Sequence, residues 1–246
     1  MALRAAQNNG HKLILSTGRF IGQIYPWLLE KIHFDGIISS SGAVVYYGGD
    51  CIYSKYFSRS HLEYLSDCFK KAGAYSCRQL RNNLVSTKCD LDGIYDVFGR
   101  AGIAAESVES LMGDVQIADM NTLDNVEKII YYDAKFELSE MRNLIGEQFN
   151  IDPFSFKDMP LTCGEVNLAE VNKAHGMHEL LRYAGADVRD TIAIGDAGND
   201  ITILRAAGIG VAMGNATDEI KAAADMVTDS IGEDGIYNAF LKLGLI

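Results

Sequence analysis

The chain has 246 residues, 48% of them hydrophobic, enough to bury a sizeable core and to exclude disorder as its general state. Its 22 basic and 33 acidic side chains leave a net charge of -11. That charge repels nucleic-acid phosphates and anionic membrane surfaces, so the expected partner is a small molecule, with no nucleic acid and no membrane. Five cysteines (Cys51, Cys68, Cys77, Cys89 and Cys163), odd in number and without a C-x-x-C pair, fit a reduced, cytoplasmic setting. No leader-like or membrane-length apolar stretch interrupts that expectation.

Residues 1–9 followed by Gly10 look like the second half of a helix and its closing glycine, with no strand ahead of it. Four short apolar runs, each ending in small or polar residues and followed by a helical pattern, read as strands of a parallel sheet buried on both faces. They are Lys12 to Ser16, Gly36 to Ser39, Thr191 to Gly195 and Ile209 to Ala212. Ile21, Ile24, Leu28 and Ile32 predict one helix after the first run, kinked at Pro26. Met177, Leu180, Leu181 and Ala184 predict another from Lys173, closing at Gly185. The layout is doubly wound α/β, a Rossmann-like parallel sheet. Between about Ser60 and Pro160 the texture changes to alternating segments, Ala74 to Leu80 and Val126 to Tyr132, mixed with helices such as His61 to Lys71. This predicts an inserted α+β unit over 60–160 and a core made of 1–59 and 161–246, with junctions near Phe57-Ser-Arg-Ser and Asp158-Met-Pro-Leu-Thr-Cys-Gly.

The sharpest motif is Ile194-Gly-Asp-Ala-Gly-Asn-Asp200. It sets Asp196 at the tip of a buried strand, where open α/β sheets bind ligands, and Asp200 at the start of the next helix. Two carboxylates with glycine freedom around them suit Mg²⁺. A helix-capping role alone would account for Asp200 but not for Asp196. In Ser16-Thr-Gly-Arg19, the Thr17 hydroxyl and the Gly18 amide could meet an anion at a helix start, although both are also ordinary loop residues. Lys173 lies in a first helical turn, where a cation opposes the macrodipole unless an anion compensates. His175 and His178 share a helix but lack the third ligand that zinc needs, and Cys163 does not supply it. No G-x-G-x-x-G follows a strand, which sets a dinucleotide-binding reading aside.

Taken in order, Ser16-Thr-Gly-Arg19, Ser40-Ser-Gly-Ala43, Lys173, Gly195-Asp-Ala-Gly-Asn-Asp200 and Gly210-Val-Ala-Met-Gly-Asn-Ala216 resemble the Cof-type branch of the haloacid dehalogenase-like (HAD) phosphatases, with a large α/β cap as the insert. The resemblance implies a Mg²⁺-dependent phosphoric monoester hydrolase acting on a small phosphorylated metabolite, a sugar phosphate or a cofactor or nucleotide precursor. It also implies site roles. Thr17 and Gly18 would hold the transferring phosphoryl group with Arg19 near them, Lys173 would neutralise it, Asn199 would donate to it, and Asp196, backed by Asp200, would bind the metal. The family's attacking carboxylate sits in a D-x-D-G-T motif ahead of all of these and gives an aspartyl-phosphate; that motif has no counterpart here, so the chain is expected to begin after it. The strands flanking that missing central strand would then face a gap. The alternative is a truncated, non-catalytic phosphate-binding or regulatory module. Cys89-Asp-Leu-Asp-Gly-Ile94 spells D-x-D-G but lies in the insert, out of order, so Asp90 and Asp92 are expected to cap or turn rather than react. Ser41 stands where the family usually has asparagine.

Overall fold

The computed structural model describes residues 2–154 and 161–246. They form two compact units. The first is made of the N-terminal stretch through Gly18, Ile24–Ser54 and Val171–Ile246; the second of Arg19–Gln23 and Lys55–Glu170.

The chain begins with helix α1 (Ala2–Asn8), and Gly10 follows at φ +91°, a conformation a side chain would resist. Strand β1 (Ile14–Ser16) lies parallel to β2 (Gly36–Ser39), with Leu15 opposite Ile37. The single kinked helix expected between them is not formed. Ile21–Gln23 makes a 3₁₀ turn of the second unit, and Pro26 starts helix α2 (Pro26–Lys31), where its missing N–H would have had no partner anyway. After a tight turn, β3 (Val44–Tyr47) and β4 (Asp50–Ser54) add antiparallel strands, giving the sheet order β1-β2-β3-β4.

The inserted unit opens with α3 (Arg59–Ala72), whose Ser58 side chain accepts the His61 amide and whose end closes on Gly73 at φ +64°. Then follow β5 (Tyr75–Gln79), β6 (Leu84–Ser86), α4 (Lys88–Arg100), α5 (Ala105–Met112), β7 (Val115–Ile117), β8 (Lys128–Tyr132), α6 (Leu138–Ile145), β9 (Phe149–Pro153) and β10 (Gly164–Leu168). The six strands form one sheet in the order β7-β6-β5-β8-β10-β9. Cys77, Leu84, Ile94, Val97 and Phe98 lie in its hydrophobic core. Because β10 pairs with both β8 and β9, this unit runs on to Glu170, past the expected boundary at 160. The 158–160 part of that expected junction lies outside the described residues.

Returning to the first unit, the chain forms α7 (Lys173–Ala184), closed by Gly185 at φ +65°. It continues through β11 (Ile192–Gly195), α8 (Ile201–Ala206), β12 (Ile209–Ala212), α9 (Asp218–Ala222), β13 (Met226–Val227) and α10 (Gly235–Lys242). β11, β12 and β13 are parallel and form their own sheet. Among the described residues, β1 pairs only with β2 and β11 only with β12, so the unit holds two sheets, in which β1 and β11 are each an edge strand. Ile38, Val45, Met177, Leu180, Leu204 and Ala212 pack as its core. No helix among the described residues is long and apolar enough to cross a membrane.

Candidate active site

In the first unit, strand ends and one helix start converge through a continuous series of contacts. Thr17 follows β1; its amide donates to the Ile38 carbonyl at 2.8 Å, and its own carbonyl accepts the Ser41 amide at 3.0 Å. The Ser40-Ser-Gly42 turn is held in left-handed backbone, at φ +50°, +57° and +104°. Left-handed conformations are costly for serine, and a run of them marks a turn forced by its surroundings. Gly42 shows what forces it. A Cβ there would lie 2.1 Å from the Asn172 carbonyl oxygen, so only glycine lets this turn press onto the start of α7.

Asn172 caps α7 by accepting the His175 amide on Oδ1 at 3.0 Å, which leaves Lys173 as the first helical residue. The Lys173 ammonium donates to Asp200 Oδ1 at 2.5 Å, with the two side chains only 6% and 10% exposed. Asp200 is thus the anion that compensates a cation placed against the helix dipole. Its other oxygen, Oδ2, accepts the amides of Asp196 and Ala197 at 3.1 and 3.0 Å. One buried carboxylate therefore ties Lys173 to the backbone of the loop carrying Asp196. The Asp196 side chain points outward, where Asn215 Nδ2 donates to its Oδ2 at 2.9 Å while Asn215 Oδ1 accepts the Ile231 amide at 3.1 Å.

Among the described residues of this unit, three side-chain polar atoms are buried without a hydrogen-bond partner: the hydroxyls of Ser16 and Ser41 and the side-chain oxygen of Asn199. Buried polar groups are ordinarily satisfied, so these three oxygens, near the ends of β1 and β2 and in the loop after β11, have capacity for a further partner. The two hydroxyls can donate to a phosphate oxygen, whereas the Asn199 oxygen and the Asp196 carboxylate only accept and suit a hard cation. Among the described residues no three His, Cys, Asp or Glu side chains gather to hold a metal by themselves. Mg²⁺ does not require that, since one or two carboxylates plus substrate phosphate and water usually hold it. If Mg²⁺ binds here, Asp196 is the open carboxylate, because both Asp200 oxygens are already engaged.

The structure thus brings Thr17, Lys173, Asp196 and Asp200 into one network, with Asn199 in its loop. Arg19 lies in the second unit, where its guanidinium donates to the Gln23 carbonyl at 3.5 Å. His175 is not half of a metal pair: its Nε2 lies 3.0 Å from the Tyr53 hydroxyl. The D-x-D-G decoy is ordinary helix. Thr87 caps α4 by accepting the Asp90 amide, and Asp92 pairs with Lys88 one turn away at 2.5 Å. Asn215 was given no role from sequence, although its place after a strand tip in a Gly-Asn pair was a usable signal.

A helix-start lysine, a strand-tip carboxylate and buried oxygens with spare capacity, set in one α/β unit, are groups able to hold a phosphate ester and a cation. Comparison with known proteins agrees. The chain matches the profile of the haloacid dehalogenase-like hydrolases over residues 1–240. Phosphatase YwpJ of Bacillus subtilis is 27% identical over 279 aligned residues, covering 98% of this chain and 91% of that protein. The 5-amino-6-(5-phospho-D-ribitylamino)uracil phosphatase YcsE of Bacillus subtilis is 43% identical over 75 residues, 30% of each chain. Among solved structures, the HAD subclass IIB sugar phosphatase BT4131 superposes with a TM-score of 0.80 at 26% identity, covering 100% of this chain and 90% of that one. The protein belongs to the haloacid dehalogenase-like hydrolase family, in its phosphatase group.

Proposed function

We propose that this chain carries the phosphate- and metal-binding part of a Mg²⁺-dependent phosphomonoesterase that acts on a small phosphorylated metabolite in the cytoplasm. The observation that carries the reading is the buried Lys173–Asp200 pair, whose second oxygen also anchors the Asp196 loop. Phosphoryl transfer needs positioned charge more than covalent help from the protein. Lys173 offers charge to a phosphate oxygen, and Thr17 with Gly18 offers a hydroxyl and an amide at a strand tip. Asn199 offers a side-chain amide, and Asp196 would hold the cation. When bound, Mg²⁺ would supply charge neutralisation at the phosphate. Asp200 serves as the positioning residue between Lys173 and Asp196. Arg19 is a further candidate for the phosphate group, and the inserted unit for choosing its organic part. A sugar phosphate or a cofactor precursor is the expected substrate class, in keeping with relatives named as sugar and phosphoribitylaminouracil phosphatases.

The aspartyl-phosphate route requires an attacking carboxylate, and none of these residues is placed to be one. The open edges of β1 and β11 would each be satisfied by an added parallel strand, and we assign the nucleophile to such a strand. The experiment compares the chain as given with a version extended upstream in its reading frame, on a panel of phosphate monoesters with and without Mg²⁺. Turnover is expected in the extended protein, lost with EDTA and in Asp196→Ala. Undiminished turnover in Asp196→Ala would reject the mechanism. Absence of turnover in the extended protein, with inorganic phosphate still bound, would support a non-catalytic phosphate-binding module instead.

A further inference from the structure

Asn215 touches Asp196 across 19 positions of chain, and both ends of its side-chain amide are engaged. Its Nδ2 donates to Asp196 Oδ2 at 2.9 Å, and its Oδ1 accepts the Ile231 amide at 3.1 Å. A backbone amide only donates and a carboxylate only accepts, so these two partners fix which end of the Asn215 amide faces which. The turn that carries Ile231 is itself held. The Ser230 hydroxyl donates to Glu233 Oε2 at 2.6 Å, the Glu233 amide donates to the Ser230 carbonyl at 3.0 Å, and the Gly214 amide donates to the Asp229 carbonyl at 3.0 Å. A Cβ on Gly214 would lie 2.7 Å from the Ser230 nitrogen, so a glycine before Asn215 is what lets the chain after β12 press onto this turn. Asn215 thus reaches Asp196 from a fixed base.

The consequence falls on the Asp196 carboxylate. Its loop is already set by the Asp196 and Ala197 amides on Asp200 Oδ2, and its own Oδ2 is turned towards Asn215. That leaves Oδ1 as the oxygen open to a cation. A carboxylate free at both oxygens can grip a cation with the two together, which suits Ca²⁺ with its about 6–8 oxygen ligands in flexible geometry. Mg²⁺ is smaller and demands a near-ideal octahedron, which a single oxygen aimed in one direction serves. Selection between the two cations turns on ligand number and rigidity, and Asn215 restricts both at Asp196.

We propose that Asn215 is a positioning residue that makes Asp196 a one-oxygen ligand and so sets the preference of the site for Mg²⁺ over Ca²⁺. The proposal rests on the reading of Asp196 as the metal carboxylate. In the protein extended upstream, Mn²⁺ serves as a probe followed by EPR without substrate, and Mg²⁺ and Ca²⁺ are each titrated against it. Mg²⁺ is expected to displace Mn²⁺ at lower concentration than Ca²⁺ does. In Asn215→Ala the ratio of Mg²⁺ to Ca²⁺ affinity should fall about tenfold, the lower end of what losing the hydrogen-bond partner of a metal ligand costs. Asn215→Asp keeps an acceptor for Ile231 but replaces the donor with a carboxylate oxygen, and its ratio should move further towards Ca²⁺. A ratio unchanged in both variants, with Mn²⁺ still bound, would overturn the proposal and leave the phosphatase reading standing, because a part confined to bracing the turn at Ile231 would alter both affinities alike or neither. No Mn²⁺ binding to the unsubstituted protein, or binding undiminished in Asp196→Ala, would overturn the metal assignment and this proposal with it.

Discussion

Replacing Lys173 by methionine keeps the side-chain length and removes the charge, leaving Asp200 buried without its cation. Breaking a buried ion pair from one side costs about 3–5 kcal/mol. Here Asp200 Oδ2 still accepts two backbone amides, and hydrogen bonds to a charged group are worth about 1.5–3 kcal/mol each, so the lower end, about 3 kcal/mol, is expected. Asp200→Leu is worse, about 5 kcal/mol, because it strands a lysine ammonium and two amides together. The double variant Lys173→Met/Asp200→Leu removes both charges, and should recover about 3 kcal/mol of the summed losses, the upper end of couplings between contacting residues. Urea unfolding measures this conveniently, since the single tryptophan, Trp27, lies in the same unit as the pair and reports its unfolding. Additivity within about 0.5 kcal/mol would show the two groups to be independent, and would remove the link between Lys173 and the Asp196 loop.

Gly42→Ala should cost about 2–5 kcal/mol by combining left-handed strain with a collision at the Asn172 carbonyl, and thermal unfolding will show it. Asn215→Ala, which frees the Asp196 carboxylate to swing, should lower Mg²⁺-dependent hydrolysis by the extended protein about 10–100-fold with little loss of stability, read from the metal dependence of the rate. Asp90→Asn and Asp92→Asn should leave that hydrolysis unchanged, whereas Thr87→Ala should lower stability by about 1 kcal/mol through the lost α4 cap. Burial pushes the Cys77 thiol from 9.0 up to about 12. Its raised value means that its contribution to stability is intact below pH 9 and is lost as pH climbs from about 9 towards 12. The unfolding midpoint of the native chain should therefore fall more steeply over that range than that of Cys77→Ala.

The parallel strands were legible because strands buried on both faces read as unbroken apolar runs, and their tips mark where chemistry gathers. Gly36–Ser39 and Ile209–Ala212 have the predicted bounds, and α7 runs from Lys173 to its glycine as its apolar spacing requires. The hairpin of β3 and β4 is absent from the sequence reading although its signal was there: the apolar run Ala43-Val-Val-Tyr-Tyr47 ends on Gly48-Gly49, both at positive φ, which turn the chain into β4. The helix over Pro26 failed for a different reason. Apolar spacing continued across the proline, while the backbone restarted at it, and Ile21 went to a different unit. Of the site, the residue types were visible and their partnerships were not. Asp200 meets Lys173 across 27 positions of chain, a contact no local periodicity encodes.

Where local rules are broken, they are broken together. Among the described residues, six buried side-chain atoms lack a partner; Ser16, Ser41 and Asn199 lie in the first unit, and Arg78, Tyr131 and Asn167 belong to the sheet of the second. The first group coincides with two consecutive serines in left-handed backbone, a glycine that no other residue could replace, and a lysine set against a helix dipole. Each of these is destabilising alone, and random drift would scatter them. Their concentration at the ends of β1, β2 and β11 is what a ligand site built at a cost in stability would require, because a fold optimised for stability alone would relieve each of them with a single substitution.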